Sequence, residues 1–219
     1  MAEKRQLMPK KVSSVQNIAA HVYVLRFKRD FDFIAGQVVA IDVTDNGQPR
    51  LYSIASAEKD EFVDILFDEQ PKGRLTPKLS KLKPGDTIYV SEPFGNFNCT
   101  DDKAWWIAAG TGIAPFVSMA RSGLGHNKML IHGGRHDENF YFADELQQKL
   151  TYSYIRCCSQ QADTINYKGR LTNWLKSKQT LPIDMKYYLC GSAEMVVQVR
   201  DILISRDVPF HNIISETYF

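Results

Sequence analysis

The sequence predicts a two-domain chain, a β domain followed by an α/β domain, and three observations carry that reading. The first half holds short β-branched and aromatic runs punctuated by Gly and Pro. The second half alternates such runs with helical segments, the pattern of a parallel sheet covered on both faces. The change falls near Asn98–Lys103, where Cys-Thr-Asp-Asp-Lys reads as a linker, so the domains are placed at residues 1–99 and 100–219.

The elements follow in chain order. Val22, Val24 and Phe27 mark the first strand, and Val38, Val39, Ile41 and Val43 the next. Arg50-Leu51-Tyr52-Ser53 reads as a strand start, and Phe62, Val63, Ile65, Leu66 and Phe67 form another run. A helical segment, Arg74 to Leu82, opens after Gly73. Ile88, Tyr89 and Val90 come after Pro84-Gly85-Asp86, a turn signal ahead of a strand. Short strands at this spacing indicate a sandwich or a barrel. Beyond the linker, strands are expected at 105–109, 128–133, 152–158, 187–190 and 213–218. Helices are expected at 113–122, 141–150, 171–178 and 193–205. Ligands of such sheets bind at the carboxyl ends of the strands, so the chemistry is expected in the crevice between the domains.

Composition narrows the function classes. Of 219 residues, 44% are hydrophobic and 24% charged, enough for a real core and against extended disorder. A net charge of +2 gives no reason to expect nucleic acid. The basic cluster Lys4, Arg5, Lys10 and Lys11 reads as a solvated tail, or alternatively as part of a docking surface for an acidic protein. The four cysteines, Cys99, Cys157, Cys158 and Cys190, make no C-x-x-C pair and no plant-type iron–sulfur run, so no metal is expected. The N-terminal segment is charged and lacks the apolar core of a secretory signal. The longest apolar stretch, Ala104 to Ala120, is broken by Gly110, Gly112 and Pro115 and falls short of the ~20 residues of a membrane span. A soluble, cytoplasmic chain without membrane partners is expected.

Four segments carry candidate chemistry. In Arg50-Leu51-Tyr52-Ser53, the ordinary reading is a surface charge and a packed ring. The functional one lays Tyr52 against a planar cofactor, sets the Arg50 fork on a phosphate and points the Ser53 hydroxyl at a polar ring atom. Gly73-Arg74-Leu75-Thr76 opens a helix whose free N–H groups suit a phosphate. Gly110-Thr111-Gly112-Ile113-Ala114-Pro115 is not G-x-G-x-x-G. Its glycines at a strand-to-helix turn allow close approach by a pyrophosphate, and Pro115 suits a first helical turn. The last segment pairs Cys190-Gly191-Ser192, at a strand end, with Glu216-Thr217-Tyr218-Phe219, whose two aromatic rings need a surface to cover.

As a set and in this order, R-x-Y-S, G-T-G-x-x-P and C-G resemble the ferredoxin–NADP(+) reductase superfamily, and the match covers nearly the whole chain. The resemblance implies an antiparallel six-stranded β-barrel that binds FAD, followed by a Rossmann-like parallel-sheet domain that binds a nicotinamide dinucleotide. It implies that Arg50, Tyr52 and Ser53 contact the flavin and its phosphate, and that Gly73, Arg74 and Thr76 hold the pyrophosphate. Gly110, Thr111, Gly112, Pro115 and Gly191 would serve the dinucleotide. Cys190 would border the hydride path, Glu216 would be the acidic residue near the C-terminus, and Tyr218 with Phe219 would cover the flavin. Hydride would pass between nicotinamide and flavin, with Ser53, Cys190 and Glu216 as the catalytic set. Single electrons would then pass to a separate ferredoxin or flavodoxin.

Coenzyme choice stays open between NADP(H) and NADH. The arginine that family NADP readers place after a serine is missing, because the site reads Ser159-Gln160. Arg135 and Arg170 resemble basic positions of bacterial members and offer the guanidinium that a 2′-phosphate needs. Two other readings remain: an NADH-dependent reductase component of an oxygenase, and a non-catalytic flavin- or nucleotide-binding electron-transfer subunit.

Overall fold

The computed structural model describes residues 5–45, 47–150 and 154–218, Tyr218 by its backbone alone. The chain divides between Asn98 and Cys99 into two compact units.

The first unit is built from six strands, β1 (Leu7–Ala19), β2 (Val22–Lys28), β3 (Val38–Asp42), β4 (Arg50–Ser53), β5 (Phe62–Asp68) and β6 (Thr87–Ser91), with a short helix α1 (Thr76–Leu79). The strands pair antiparallel in the order β4-β3-β6-β1-β2-β5. The two ends of this sheet meet. Ile54, just past β4, bridges Ile65 of β5, and the Ala55 amide donates to the Asp64 carbonyl at 2.8 Å. The sheet is thereby a six-stranded barrel, and closure removes exposed strand edges. Leu25, Phe27, Ile41, Ile65, Phe67 and Val90 fill its interior. On the outer side of β5, the buried Asp64 takes both prongs of the Arg26 guanidinium at 2.7 and 2.8 Å.

Strand β1 corrects the tail reading of the N-terminal basic cluster. Its first half pairs with β6, from Leu7 opposite Ser91 to Lys11 opposite Thr87, and its second half pairs with β2. Lys10 ion-pairs with Asp30, and Lys11 Nζ donates to the Gly85 carbonyl at 3.1 Å and to Thr87 at 2.9 Å. Arg5 stacks on the Phe94 ring, and Lys4 lies outside the described residues. The charges and Pro9 hide the strand in the sequence. Pro9, which has no N–H, is tolerated because its half of β1 pairs only with β6.

The second unit is a parallel sheet of β7 (Ala104–Ala109), β8 (Lys128–Gly134), β9 (Tyr154–Cys158), β10 (Tyr167–Lys168), β11 (Lys186–Ser192) and β12 (Ile213–Tyr218). Its helices are α2 (Ala114–Arg121), α3 (Ala143–Leu150), α4 (Leu171–Lys176) and α5 (Ala193–Ile204). The order is β10-β9-β8-β7-β11-β12, so the winding reverses between β7 and β11. Alternation along β7 sends Ile107 toward Leu171 of α4 and Val199 of α5 and Trp106 toward Phe116 of α2. Both faces are therefore covered, as an all-parallel sheet requires.

Several elements are shorter than their sequence patterns. The 74–82 helix contracts to the four residues of α1, and β3 stops before Val43. The segment after β7 begins as a 3-10 turn, Gly110–Ile113, before α2 starts. Phe142, at φ +59°, holds Tyr141 and itself out of α3. Strand β10, two residues long, has too little pattern to be read; Tyr152 and Ser153 lie outside the described residues. Among the described residues no helix is long and apolar enough to cross a membrane, and all four cysteines are buried and outside any disulfide.

Candidate functional site

In the first unit, pairing with β3 sets Ser53 opposite Val38, Tyr52 opposite Val39 and Arg50 opposite Ile41. Arg50 is exposed and Ser53 buried. Tyr52 is half-buried at the rim of the barrel core, its ring edge-on to Phe67 at 6.5 Å. Burial pushes its hydroxyl well above the usual phenol range, so Tyr52 is a neutral apolar face with a polar tip.

Gly73, Arg74 and Thr76 lie together but differ from the expected phosphate cradle. One turn of helix with Pro77 in it is a poor source of free N–H groups. The Thr76 hydroxyl accepts from the Gln70 amide at 2.9 Å. A side chain at Gly73 would meet the Gln70 carbonyl at 2.9 Å. Arg74 donates to Asp42 at 2.8 Å and to the Gln48 carbonyl. Asp42, missed by sequence reasoning, is wholly buried at the end of β3, and its carboxylate also takes the Val43 amide at 2.7 Å. Burial works to raise its pKa. The Arg74 bond and the backbone amides of Val43 and Thr44 outweigh this and hold it below the usual range. A lone acid ending the apolar run Val-Val-Ala-Ile is the one signal that could have found it.

In the second unit, the parallel register gathers the expected residues at the carboxyl ends of three adjacent strands. Cys190 of β11 lies opposite Ala108 of β7 on one side and Glu216 of β12 on the other. Gly191 faces Thr217, and Ser192 faces the Tyr218 backbone. The Gly110-Thr111-Gly112 turn follows β7 directly, at the point where the winding reverses. Crevices of this kind hold ligands in open α/β sheets. The two glycines do different work. Gly110, at φ +57°, has nothing within 4 Å of where a side chain would begin, so its backbone is open to a ligand. At Gly112 a Cβ would sit 2.4 Å from the Cys190 carbonyl oxygen, so this glycine is needed for turn-to-strand packing. Pro115 is buried in the first turn of α2. Cys190 is fully buried, Glu216 is half-buried, and Ser192 caps α5 by accepting from the Met195 amide. The side chain of Tyr218, and Phe219 altogether, lie outside the described residues.

The coenzyme candidates occupy the next strand ends. Exposed Arg135 follows β8, and exposed Ser159 and Gln160 follow β9. The Ser159 and Gln160 amides donate to the Gly134 and Arg135 carbonyls at 3.0 and 2.8 Å, so the two loops run together. Arg170, exposed, stands at the N-cap of α4, 3.9 Å from the Glu194 carboxylate.

Beneath the glycine turn lies a residue that sequence reasoning missed. His132 of β8 is fully buried, with Nδ1 2.9 Å from the Tyr154 hydroxyl. Its Nε2 is buried without a hydrogen-bond partner among the described residues. Burial first, and the Arg156 charge second, push its pKa down to about 3, so the imidazole is neutral at physiological pH.

These residues fit a flavin and a dinucleotide by the chemistry of the groups they offer: an exposed guanidinium beside a half-buried ring, and a glycine turn with open backbone at a topological switch point. Comparison with known proteins agrees. Residues 9–99 match the oxidoreductase FAD-binding domain family, and residues 106–201 the oxidoreductase NAD-binding domain family. A probable dihydroorotate dehydrogenase B (NAD(+)) electron transfer subunit from Pyrococcus abyssi is 31% identical, over 88% of this chain and 72% of its own. The toluate 1,2-dioxygenase electron transfer component of Pseudomonas putida is 29% identical over 94% of this chain, which spans 66% of that relative's length. A ferredoxin–NADP reductase of Pseudomonas aeruginosa is 28% identical over 83% of this chain and 80% of its own. The crystal structure of a ferredoxin NADP+ reductase from Neisseria gonorrhoeae with bound FAD and NADP superposes with a TM-score of 0.87, at 21% identity, over 99% of this chain and 100% of that one.

Proposed function

Because the chain belongs to the ferredoxin–NADP(+) reductase superfamily, and is a flavin oxidoreductase with an FAD-binding and an NAD-binding domain, we propose that it passes hydride between NADP(H) and FAD and single electrons between FAD and a separate ferredoxin or flavodoxin. The observation that carries this reading is the register that sets Cys190 between Ala108, two residues from the Gly110 turn, and Glu216. Three residues proposed for the nicotinamide end thus come from distant segments to one edge of one sheet.

In this reading the FAD domain runs over residues 1–99 and the nicotinamide domain over 100–219. Arg50 binds the flavin phosphate, Tyr52 packs on the ring system, and the Ser53 hydroxyl hydrogen-bonds a polar ring atom. Gly73 and Thr76 shape the pyrophosphate turn, with Arg74 bracing it. Gly110, Thr111, Gly112 and Gly191 let the dinucleotide backbone approach, and Pro115 fixes the helix behind them. Cys190 and Glu216 border the nicotinamide, and Tyr218 with Phe219 supply the aromatic cover it displaces. Arg135, Ser159 and Arg170 bind the 2′-phosphate, for which guanidinium geometry suits. Bound flavin supplies the two-electron to one-electron conversion that side chains cannot.

A second reading rests on Gln160, which stands where NADP readers carry arginine: an NADH-dependent reductase serving an oxygenase. The Pseudomonas putida relative is named an electron transfer component of a dioxygenase. A third is an electron-transfer subunit without nicotinamide turnover of its own, and slow reduction by both nucleotides would favour it. Anaerobic mixing of the flavin-loaded protein with NADPH and, separately, NADH decides among them. Rapid bleaching of the oxidised-flavin absorbance by NADPH supports the proposal. Bleaching by NADH alone moves the protein to the second reading, and a protein that takes up no flavin overturns the assignment.

A further inference from the structure

The two loops that carry the coenzyme candidates are joined by one carboxylate. Asp137 opens the short turn after Arg135 and His136. Its Oδ1 accepts from the Thr164 hydroxyl at 2.6 Å and from Asn166 Nδ2 at 2.8 Å, both in the loop that follows β9. The Asp137 amide donates to Gln161 Oε1 at 2.9 Å, again across the two loops. Thr164 is itself buried and takes the Asn166 amide at 3.1 Å, so the far loop is folded around the same point.

Arg135 is fixed from both sides of this junction. Its amide donates to Asn139 Oδ1 at 3.2 Å. Its carbonyl accepts from the Gln160 amide at 2.8 Å and from the Cys158 thiol at 3.2 Å. The Arg135, Ser159 and Gln160 side chains remain exposed. The backbone beneath them is thus pinned. The Ser159 hydroxyl adds a further tie by donating to the Gly134 carbonyl at 3.2 Å, and the exposed Arg135 and Gln160 tips are left for a ligand. Hydrogen bonds from Thr164 and Asn166, with a further contribution from Cys158, hold the Asp137 pKa below the usual range, so the junction is a carboxylate throughout the physiological range.

We propose that Asp137 is a positioning residue for coenzyme recognition: it sets the spacing between Arg135 and Ser159-Gln160 and so governs discrimination at the ribose 2′ position, not the hydride step. This rests on the coenzyme site proposed above. Asp137 does not touch the ligand. A small misplacement of a bidentate reader is costly because its value lies in geometry as well as charge.

The test is calorimetric titration of the flavin-loaded protein and its Asp137→Asn and Thr164→Val variants with adenosine 2′,5′-bisphosphate and with 5′-AMP, alongside the rate of flavin reduction at saturating NADPH. Asp137→Asn is expected to weaken the bisphosphate about ten-fold, the scale of one well-placed charged contact, and 5′-AMP by less than about three-fold. Thr164→Val, nearly isosteric, is expected to move the same ratio in the same direction to a smaller extent. The saturating rate is expected to hold. Equal weakening of both nucleotides, an unchanged ratio in both variants, or a fall in the saturating rate each overturns the inference while leaving the coenzyme site standing. A wild-type protein that binds neither nucleotide, or only 5′-AMP, overturns the 2′-phosphate reading and the inference with it.

Discussion

Acidification should unfold the second unit ahead of what its surface charges dictate, and His132 is the cause. The group is neutral in the fold, with a pKa pushed down to about 3 by full burial and by Arg156, whereas an unfolded histidine titrates near ~6.5. The folded value is the depressed one, so the unfolded chain binds the extra proton. The stability contributed by the neutral imidazole is present above pH ~6.5 and is lost as pH falls from there toward 3. Between pH 7 and pH 5 the loss amounts to about 2 kcal/mol, at about 1.4 kcal/mol for each pH unit below the unfolded pKa. That is a sizeable share of the 5–15 kcal/mol or so that holds a typical domain together. All three tryptophans, Trp105, Trp106 and Trp174, lie in the second unit, so fluorescence-detected urea unfolding reads this unit alone. The comparison is wild type against His132→Asn, at pH 7 and pH 5. The variant carries a cavity cost at both pH values, but the slope between them should fall by about 2 kcal/mol. Parallel slopes in the two proteins would refute the assignment of acid sensitivity to His132.

Other outcomes follow from the same geometry. Arg74→Met should destabilise the first unit by about 1–3 kcal/mol, because it leaves the buried Asp42 carboxylate short of a donor; Arg50→Met should leave urea unfolding unchanged and raise the flavin dissociation constant. Gly112→Ala should be far more damaging than Gly110→Ala in thermal unfolding and in dinucleotide binding. The first drives a Cβ into the Cys190 backbone at 2.4 Å, whereas the second meets open space and costs only the ~1–2 kcal/mol of a left-handed residue. Ser53→Ala and Glu216→Ala should lower the rate of flavin reduction by nicotinamide more than they lower flavin content, and equal losses of both would remove these residues from the catalytic set.

The parts of the fold legible in the sequence are those whose signal is local. The strand pattern at Val22–Lys28 and Phe62–Asp68 shows because buried side chains recur at period 2 or run unbroken. The alternation of strand and helix after Cys99 shows because each βαβ step repeats the same two patterns. What was hidden depends on distant partners. Strand β1 looks like a basic tail until Asp30, Gly85 and Thr87 are brought to its lysines. Barrel closure rests on the Ile54–Ile65 bridge, which no pattern announces. His132 and Asp137 resemble any polar residue near a strand end, and they acquire meaning only from Tyr154 and Thr164, on the neighbouring strand and the loop that follows it.

The same distinction separates the two arginines that the sequence places near the flavin phosphates. By residue type they are equivalent, since each is a guanidinium beside a glycine- or proline-containing turn. In the structure Arg74 already faces a buried carboxylate and a carbonyl, so its charge is already compensated, and moving it away would strand Asp42 without its principal donor. Arg50 is exposed at the start of β4, two residues before the half-buried Tyr52 ring and three before Ser53. An anion gains more from an uncompensated cation than from one already paired, and it need not break a buried ion pair to reach it. We therefore assign the phosphate of the proposed flavin site to Arg50, and to Arg74 the part of a brace that fixes the turn beside it. Flavin release from Arg50→Met with stability intact, set against loss of stability in Arg74→Met, is the pattern this division of labour requires.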